Sequence, residues 1–175
     1  MHRRQITKFT TQLTEELKQL AGFSSSTPRR IEITDPDGLV LGVAVVAVDA
    51  LSCAFESLTL HVPSLVGNES DVLQAWANAL SGRVTYLLEN IGPIEIDNRS
   101  SQVLIRSTPP HRTCTDTQFY EVLLSAQANG TFLLRRYRAE NGQPGRESVD
   151  IHLTHETLRK LIGDLVDTIP LPAEE

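Results

Sequence analysis

The chain has 175 residues, 40% of them hydrophobic and 22% charged, with 16 basic against 22 acidic side chains and a formal charge of −6. That composition is globular and not disordered, and a chain of this length can bury about 70% of its unfolded surface without disulfide or metal staples. Its negative field opposes phosphate backbones and anionic lipid, so neither nucleic acid nor a membrane is expected as a partner.

The opening "MHRRQITKFTTQL" has two arginines but no apolar core or small-residue cleavage site after them, which predicts a cytoplasmic protein and not a secreted one. Within it begins an apolar stripe, Ile6, Phe9, Leu13, Leu17 and Leu20, at the three- and four-residue spacing of a helix that should stop at Gly22. "GFSSSTPRR" then reads as a flexible connection. Asp35-Pro36-Asp37-Gly38 has proline second and glycine fourth, a type I turn between two strands. The strand after it, residues 39–48, is apolar at both parities and should be covered on both faces. Its ten residues are about half of what a membrane-spanning helix needs. A third strand runs to Pro63, with Leu58, Leu60 and Val62 inward and Ser57, Thr59 and His61 on a wet side.

From Ser70 the spacing becomes helical. Val72, Leu73, Trp76, Leu80, Val84, Leu87, Leu88 and Ile91 predict one helix that passes through Gly82. Residues 92–110 then read as two short strands around a turn at Asp97 to Ser100, closed by Pro109-Pro110. "FYEVLLSAQANGTFLLRRYRAE" predicts a hairpin with Asn129-Gly130 as its two-residue turn. That register sets Ala126 opposite Leu133, Leu124 opposite Arg135, Val122 opposite Tyr137, and Glu121 opposite Arg138 as a charge pair. A last strand with Val149, Ile151 and Leu153 inward leads to a helix carrying Leu158, Leu161, Ile162, Leu165 and Ile169, ended by Pro170.

The expected fold is therefore α+β: a mainly antiparallel sheet with three amphipathic helices, in the order α-βββ-α-ββ-βββ-α. It forms a single domain over residues 1–175, with sub-units 5–108 and 117–170 sharing one core. The helix, three strands, helix, two strands order over residues 5–108 resembles the type III secretion chaperone-like fold. That resemblance implies a small, acidic, dimeric protein that binds other chains. A strand covered on both faces and three apolar helical stripes also exceed what a two-layer monomer would hide, which favours a homodimer.

Four stretches invite chemistry. "HETLRKL" begins like a zinc-protease helix, but such a helix needs a second histidine four positions on, where this chain has Arg159, a cation that cannot ligate. Thr154 as N-cap and Glu156 in the first turn explain the same residues. His152 and His155 could still meet across the strand-to-helix corner as metal ligands, although two histidines do not close a site. His111, Cys114 and Asp116 lie within six positions and could form a thiolate site, or could belong to a solvated linker whose Cys114 is an ordinary exposed thiol. Cys114 and Cys53 are expected to stay reduced. Glu95 and Asp97 share one face of a short strand, as paired acids in a hydrolase would, and as any half-exposed strand does. "RRYR" puts Arg136 and Arg138 on one face and Arg135 with Tyr137 on the other, so it is not a single basic surface. No phosphate-cradling glycine loop, nucleophile elbow or paired Cys-x-x-Cys occurs, and no cofactor is expected. The expected function is a non-enzymatic protein-binding or chaperone-like adaptor. The alternative is a small hydrolase-type enzyme using the 111–116 loop or the Glu95 and Asp97 pair.

Overall fold

The structure is a computed structural model and describes residues 2–65, 70–87, 91–97, 99–107, 109–126 and 130–170. Among them the chain runs α1 (His2–Gln19), β1 (Ser24–Thr34), β2 (Val40–Val48), β3 (Ser52–His61), a 3-10 turn (Pro63–Leu65) and α2 (Ser70–Arg83). It continues through β4 (Ile91–Asp97), β5 (Gln102–Ser107), β6 (His111–Arg112), β7 (Asp116–Ser125), β8 (Thr131–Glu140), β9 (Glu147–Val149), β10 (Ile151–Thr154) and α3 (His155–Asp167). The ten strands form one antiparallel sheet along the path β1-β2-β3-β8-β7-β5-β4, with β10 on β3, β9 on β8 and β6 on β7. This is the α+β architecture that the patterning implies. No helix among the described residues is long and apolar enough to cross a membrane.

Strand register explains where the core sits. Residues directly opposite one another share a face. One row crosses six strands as Ile33, Leu41, Leu60, Phe132, Leu124 and Val103, and its neighbour as Ile31, Val43, Leu58, Leu134, Val122 and Ile105. All twelve are at most 4% exposed. The stripe of α1 (Phe9, Leu13, Leu17, Leu20), that of α2 (Leu73, Trp76, Leu80) and that of α3 (Leu158, Leu161, Ile162, Leu165) belong to the same buried cluster. Each such side chain taken out of water contributes about 1.5–3 kcal/mol. The opposite face carries half-buried Leu104, Leu123, Leu133 and Thr59. β2 is tightly covered on its inner face and half-covered at Val40 and Ala44 on the other.

The two halves of the chain interleave. β8 and β7 lie between β3 and β5, so the sheet cannot be cut near residue 108. β3 and β8 pair over Leu58–His61 and Thr131–Leu134, and residues 147–154 fill the fork beyond, β9 against β8 and β10 against β3. The expected last strand is therefore two short strands with Asp150 between them. Ile151 is fully buried, whereas Val149 and Leu153 are half-buried.

Local expectations were revised by tertiary contacts in three places. The serine-rich "connection" is strand from Ser24 onward, because β2 offers a partner and an irregularity between Ser24 and Arg29 absorbs the mismatch. The second helix ends at Arg83, not at Ile91, which begins β4. Val84 and Leu87 are still buried, since periodicity reports which side chains face the core and not whether the backbone between them is helical. The 120s–130s hairpin is offset by three positions, so that Glu121 opposes Arg135 and not Arg138. An odd offset turns every β8 side chain to the other face. It sets Leu124 against Phe132 and Val122 against Leu134, where the expected register would have placed Arg135 and Tyr137. The connection spans residues 126–130, with Asn129 outside the described residues. The Asp35 to Gly38 turn is as expected: the Gly38 amide donates to the Asp35 carbonyl at 3.2 Å, and the buried Asp35 carboxylate accepts from the amides of Asp37 and Leu39.

Candidate functional site

Of the residues singled out in the sequence, His111, Arg136, Arg138 and His152 meet in one cleft, while Glu95, Asp97, Cys114, Asp116 and His155 are not part of it. Asp97 caps the β4–β5 turn, accepting from the amides of Arg99 and Ser100 at 2.9 and 3.3 Å and from Ser100 Oγ at 2.7 Å. The Ser100 hydroxyl and those amides hold its carboxyl below the usual carboxylate range. A general acid needs the opposite shift. Glu95 is exposed two residues away on the same strand, so the shared face is real but faces solvent. Residues 111–116 are not a linker: β6 pairs His111 with Gln118 and Arg112 with Thr117, and Thr113 to Thr115 form the tip of a small hairpin. The tip docks on Asn141, whose amide donates to the Thr115 carbonyl at 2.9 Å and whose Nδ2 donates to the Cys114 carbonyl at 3.3 Å. Cys114 is exposed at that tip, while Asp116 is half-buried opposite Glu140.

Cys53 is the other free thiol, buried in β3. Burial, helped by the nearby Asp49 charge, pushes it up to about 12. The thiolate is the reactive form. In the native protein a thiol reagent should add one label, at Cys114, and a second only in denaturant. Two native labels by intact mass would contradict the burial of Cys53.

His152 and His155 line different clefts. His155 Nε2 donates to the Ser52 carbonyl at 3.0 Å, and the His155 amide donates to the Leu51 carbonyl at 2.9 Å. Thr154 caps α3, accepting from the Thr157 amide at 3.1 Å, with Glu156 in the first turn. Thr154→Ala should cost about 1 kcal/mol in a denaturant titration, the usual loss for a serine or threonine cap. An unchanged midpoint would show that the cap does not support the helix. Among the described residues no three His, Cys, Asp or Glu side chains are grouped to hold a metal ion.

Two concave sites do gather distant segments. The first, about 540 Å³, lies between the second half of α1, the β2–β3 turn and the start of α3. Leu17, Ala21, Ala50 and Leu51 supply its apolar surface, and Lys18, Asp49, His155, Glu156 and Arg159 its charged edge. Leu51 is 78% exposed, far more than any other large apolar side chain described. The turn that presents it is held by Asp49, which accepts from the amides of Leu51 and Ser52 at 2.8 and 2.7 Å and from Ser52 Oγ at 2.7 Å. The Leu51 amide and the Ser52 hydroxyl keep the Asp49 carboxyl below its ordinary value, so it stays charged. Arg159 makes no ion pair among the described residues. The second cleft, about 720 Å³, joins His111, Gln118, Arg136, Arg138, Asp150 and His152. His111 and His152 thus share a cleft, and His155 is in the other.

No family model matches this chain. No curated protein and no solved structure matches it either. The site must be read from its own chemistry. Leu51 and Asp49 escaped sequence reading, and Arg159 stood out there only as a position that cannot ligate zinc, because a turn leucine and a helix arginine are unremarkable alone. The available signal was a large apolar residue inside a tight "DALS" turn, where solvent exposure is unavoidable.

Proposed function

We propose that the protein is a non-enzymatic, chaperone-like adaptor of the cytoplasm that takes a segment of another protein into the groove between α1 and α3. The observation that carries this is Leu51, an apolar side chain held in water at the mouth of an apolar-floored groove by a turn that Asp49 stiffens. Holding a large apolar group exposed is unfavourable in the free protein and is offset when a partner covers it. Arg159 at the rim, unlike Lys18, which pairs with Glu15, suits a partner with a carboxylate beside its apolar anchor. The resemblance in element order to the type III secretion chaperone-like fold supports the same reading. A hydrolase has less support: Asp97 is occupied by a turn, and Cys114 lies at an exposed hairpin tip outside the cleft that His111 lines.

A photo-crosslinking residue at Thr14, inside the groove, and another at Arg135, on the far sheet face, test this in the native cytosol. We expect a recurrent adduct from position 14 that position 135 does not give and that Leu51→Asp abolishes. Adducts equal at both positions, or indifferent to Leu51→Asp, would rule the groove out. An adduct peptide belonging to this same chain would identify the partner as a second copy.

A further inference from the structure

We infer that the second cleft is a binding site for a small organic oxyanion, a molecule carrying a phosphate or carboxylate group. Register sets its geometry. His111 stands opposite Gln118 and Gln118 opposite Arg138, so three side chains that bear N–H donors line up across β6, β7 and β8. Two strand spacings make that row about 10 Å long. Arg136 lies two residues from Arg138 on the same face and is 7% exposed. Its Nη1 donates to the Tyr120 hydroxyl at 3.0 Å and its guanidinium sits 4.7 Å from the Tyr120 ring centre, which fixes a buried cation at the cleft floor. His152 adds a further ring from the β9–β10 corner.

The lining holds two arginines, Arg136 and Arg138, and one carboxylate, Asp150. A cation behind low-dielectric walls focuses its field on the cleft instead of dissipating it in solvent. Glu147 occupies Nε and Nη2 of Arg138 and so orients that fork. Among the described residues the side chains of His111 and Gln118 make no hydrogen bond within the chain, although Gln118 is half-buried. Donors held toward a half-buried space suit an acceptor-rich ligand. About 720 Å³ is the size of a small-molecule site and far exceeds a bare oxyanion. Asp150 at the edge suits a ligand that also carries a hydroxyl or amino group.

The test is an amide chemical-shift titration of the whole protein with inorganic phosphate, with succinate, and with sodium chloride at matched ionic strength. Saturable shifts centred on Gln118, Arg138 and Val149 are expected for phosphate or succinate and not for chloride, and the tighter of the two identifies the head group. Arg138→Gln and, separately, His111→Ala, an exposed position that cannot unfold the core, should each weaken binding about tenfold with an unchanged melting temperature. Shifts that never saturate, that chloride reproduces, or that survive both substitutions at full affinity would overturn the assignment.

Discussion

Gly130→Val is expected to be among the most damaging single substitutions in this chain, lowering stability by about 3 kcal/mol or more. Two costs combine. Gly130 has φ +57°, a left-handed conformation that a β-branched residue adopts only under strain. A Cβ built there would also lie 2.4 Å from the Val62 carbonyl oxygen and 2.5 Å from Leu65 Cβ, while the Gly130 carbonyl accepts the Val62 amide at 2.8 Å. The clash is with backbone and a buried leucine, so little can yield. Gly142 separates the two costs, because its φ is +79° but no atom lies within 4 Å of an added Cβ. Gly142→Ala should therefore cost only about 1 kcal/mol, and Gly130→Ala clearly more. Equal losses in denaturant titrations of the two alanine variants would show that the Val62 and Leu65 contact does not matter.

Asp164→Ala should cost about 2 kcal/mol at neutral pH. This carboxylate is 6% exposed on α3 and accepts from Arg83 Nε at 2.9 Å, Tyr86 Oη at 2.8 Å and Lys160 Nζ at 2.6 Å. Arg83 also reaches Asp167 at 2.8 Å, and Trp76 Nε1 donates to Thr168 Oγ1 at 3.2 Å, so α3 is tied to α2 and the turn after it along its last two turns. Removing the acceptor leaves three donors without their shared partner, though Arg83 and Lys160 are half-exposed and water softens the loss. Burial pushes the Asp164 carboxyl up, but hydrogen bonds from Lys160, Tyr86 and Arg83 and the Lys160 charge outweigh it and hold the group below the usual range. Burial and the Asp164 contact push the Tyr86 hydroxyl far up, so it remains a donor at any working pH. A depressed carboxyl stabilises the fold above its unfolded pKa, about 3.9, and loses that contribution as pH falls through the folded value. The gap between wild type and Asp164→Ala should thus narrow steadily below about pH 4. A gap that holds constant down to the acid transition would mean that the ionised carboxylate is not what stabilises the helix pair.

How much of this protein was legible in its sequence depends on whether a feature is local. The α1 stripe, the Asp35 to Gly38 turn, the Asp97 to Ser100 turn, the Thr154 cap and the alternation of Leu58, Leu60 and Val62 were readable because each depends on residues within one or two turns of the chain. Fold class followed, since those periods and turns leave few alternatives to helices on one face of an antiparallel sheet. What tertiary structure decided was partnership. The hairpin register was misread because Asn129-Gly130 is a strong local signal, whereas the pairing of Val122 and Leu124 with Leu134 and Phe132 depends on a core to which β3 and α2 contribute. The end of α2 was misread because the Arg83 and Tyr86 contacts to Asp164 span about eighty residues. Both clefts are built across such separations: Leu17 with Leu51 and Arg159, and His111 with Arg138 and His152. Composition and periodicity determine which side chains leave water. Only the folded chain decides which of the remaining polar groups meet, because the distance between them along the sequence has no bearing on their distance across a sheet.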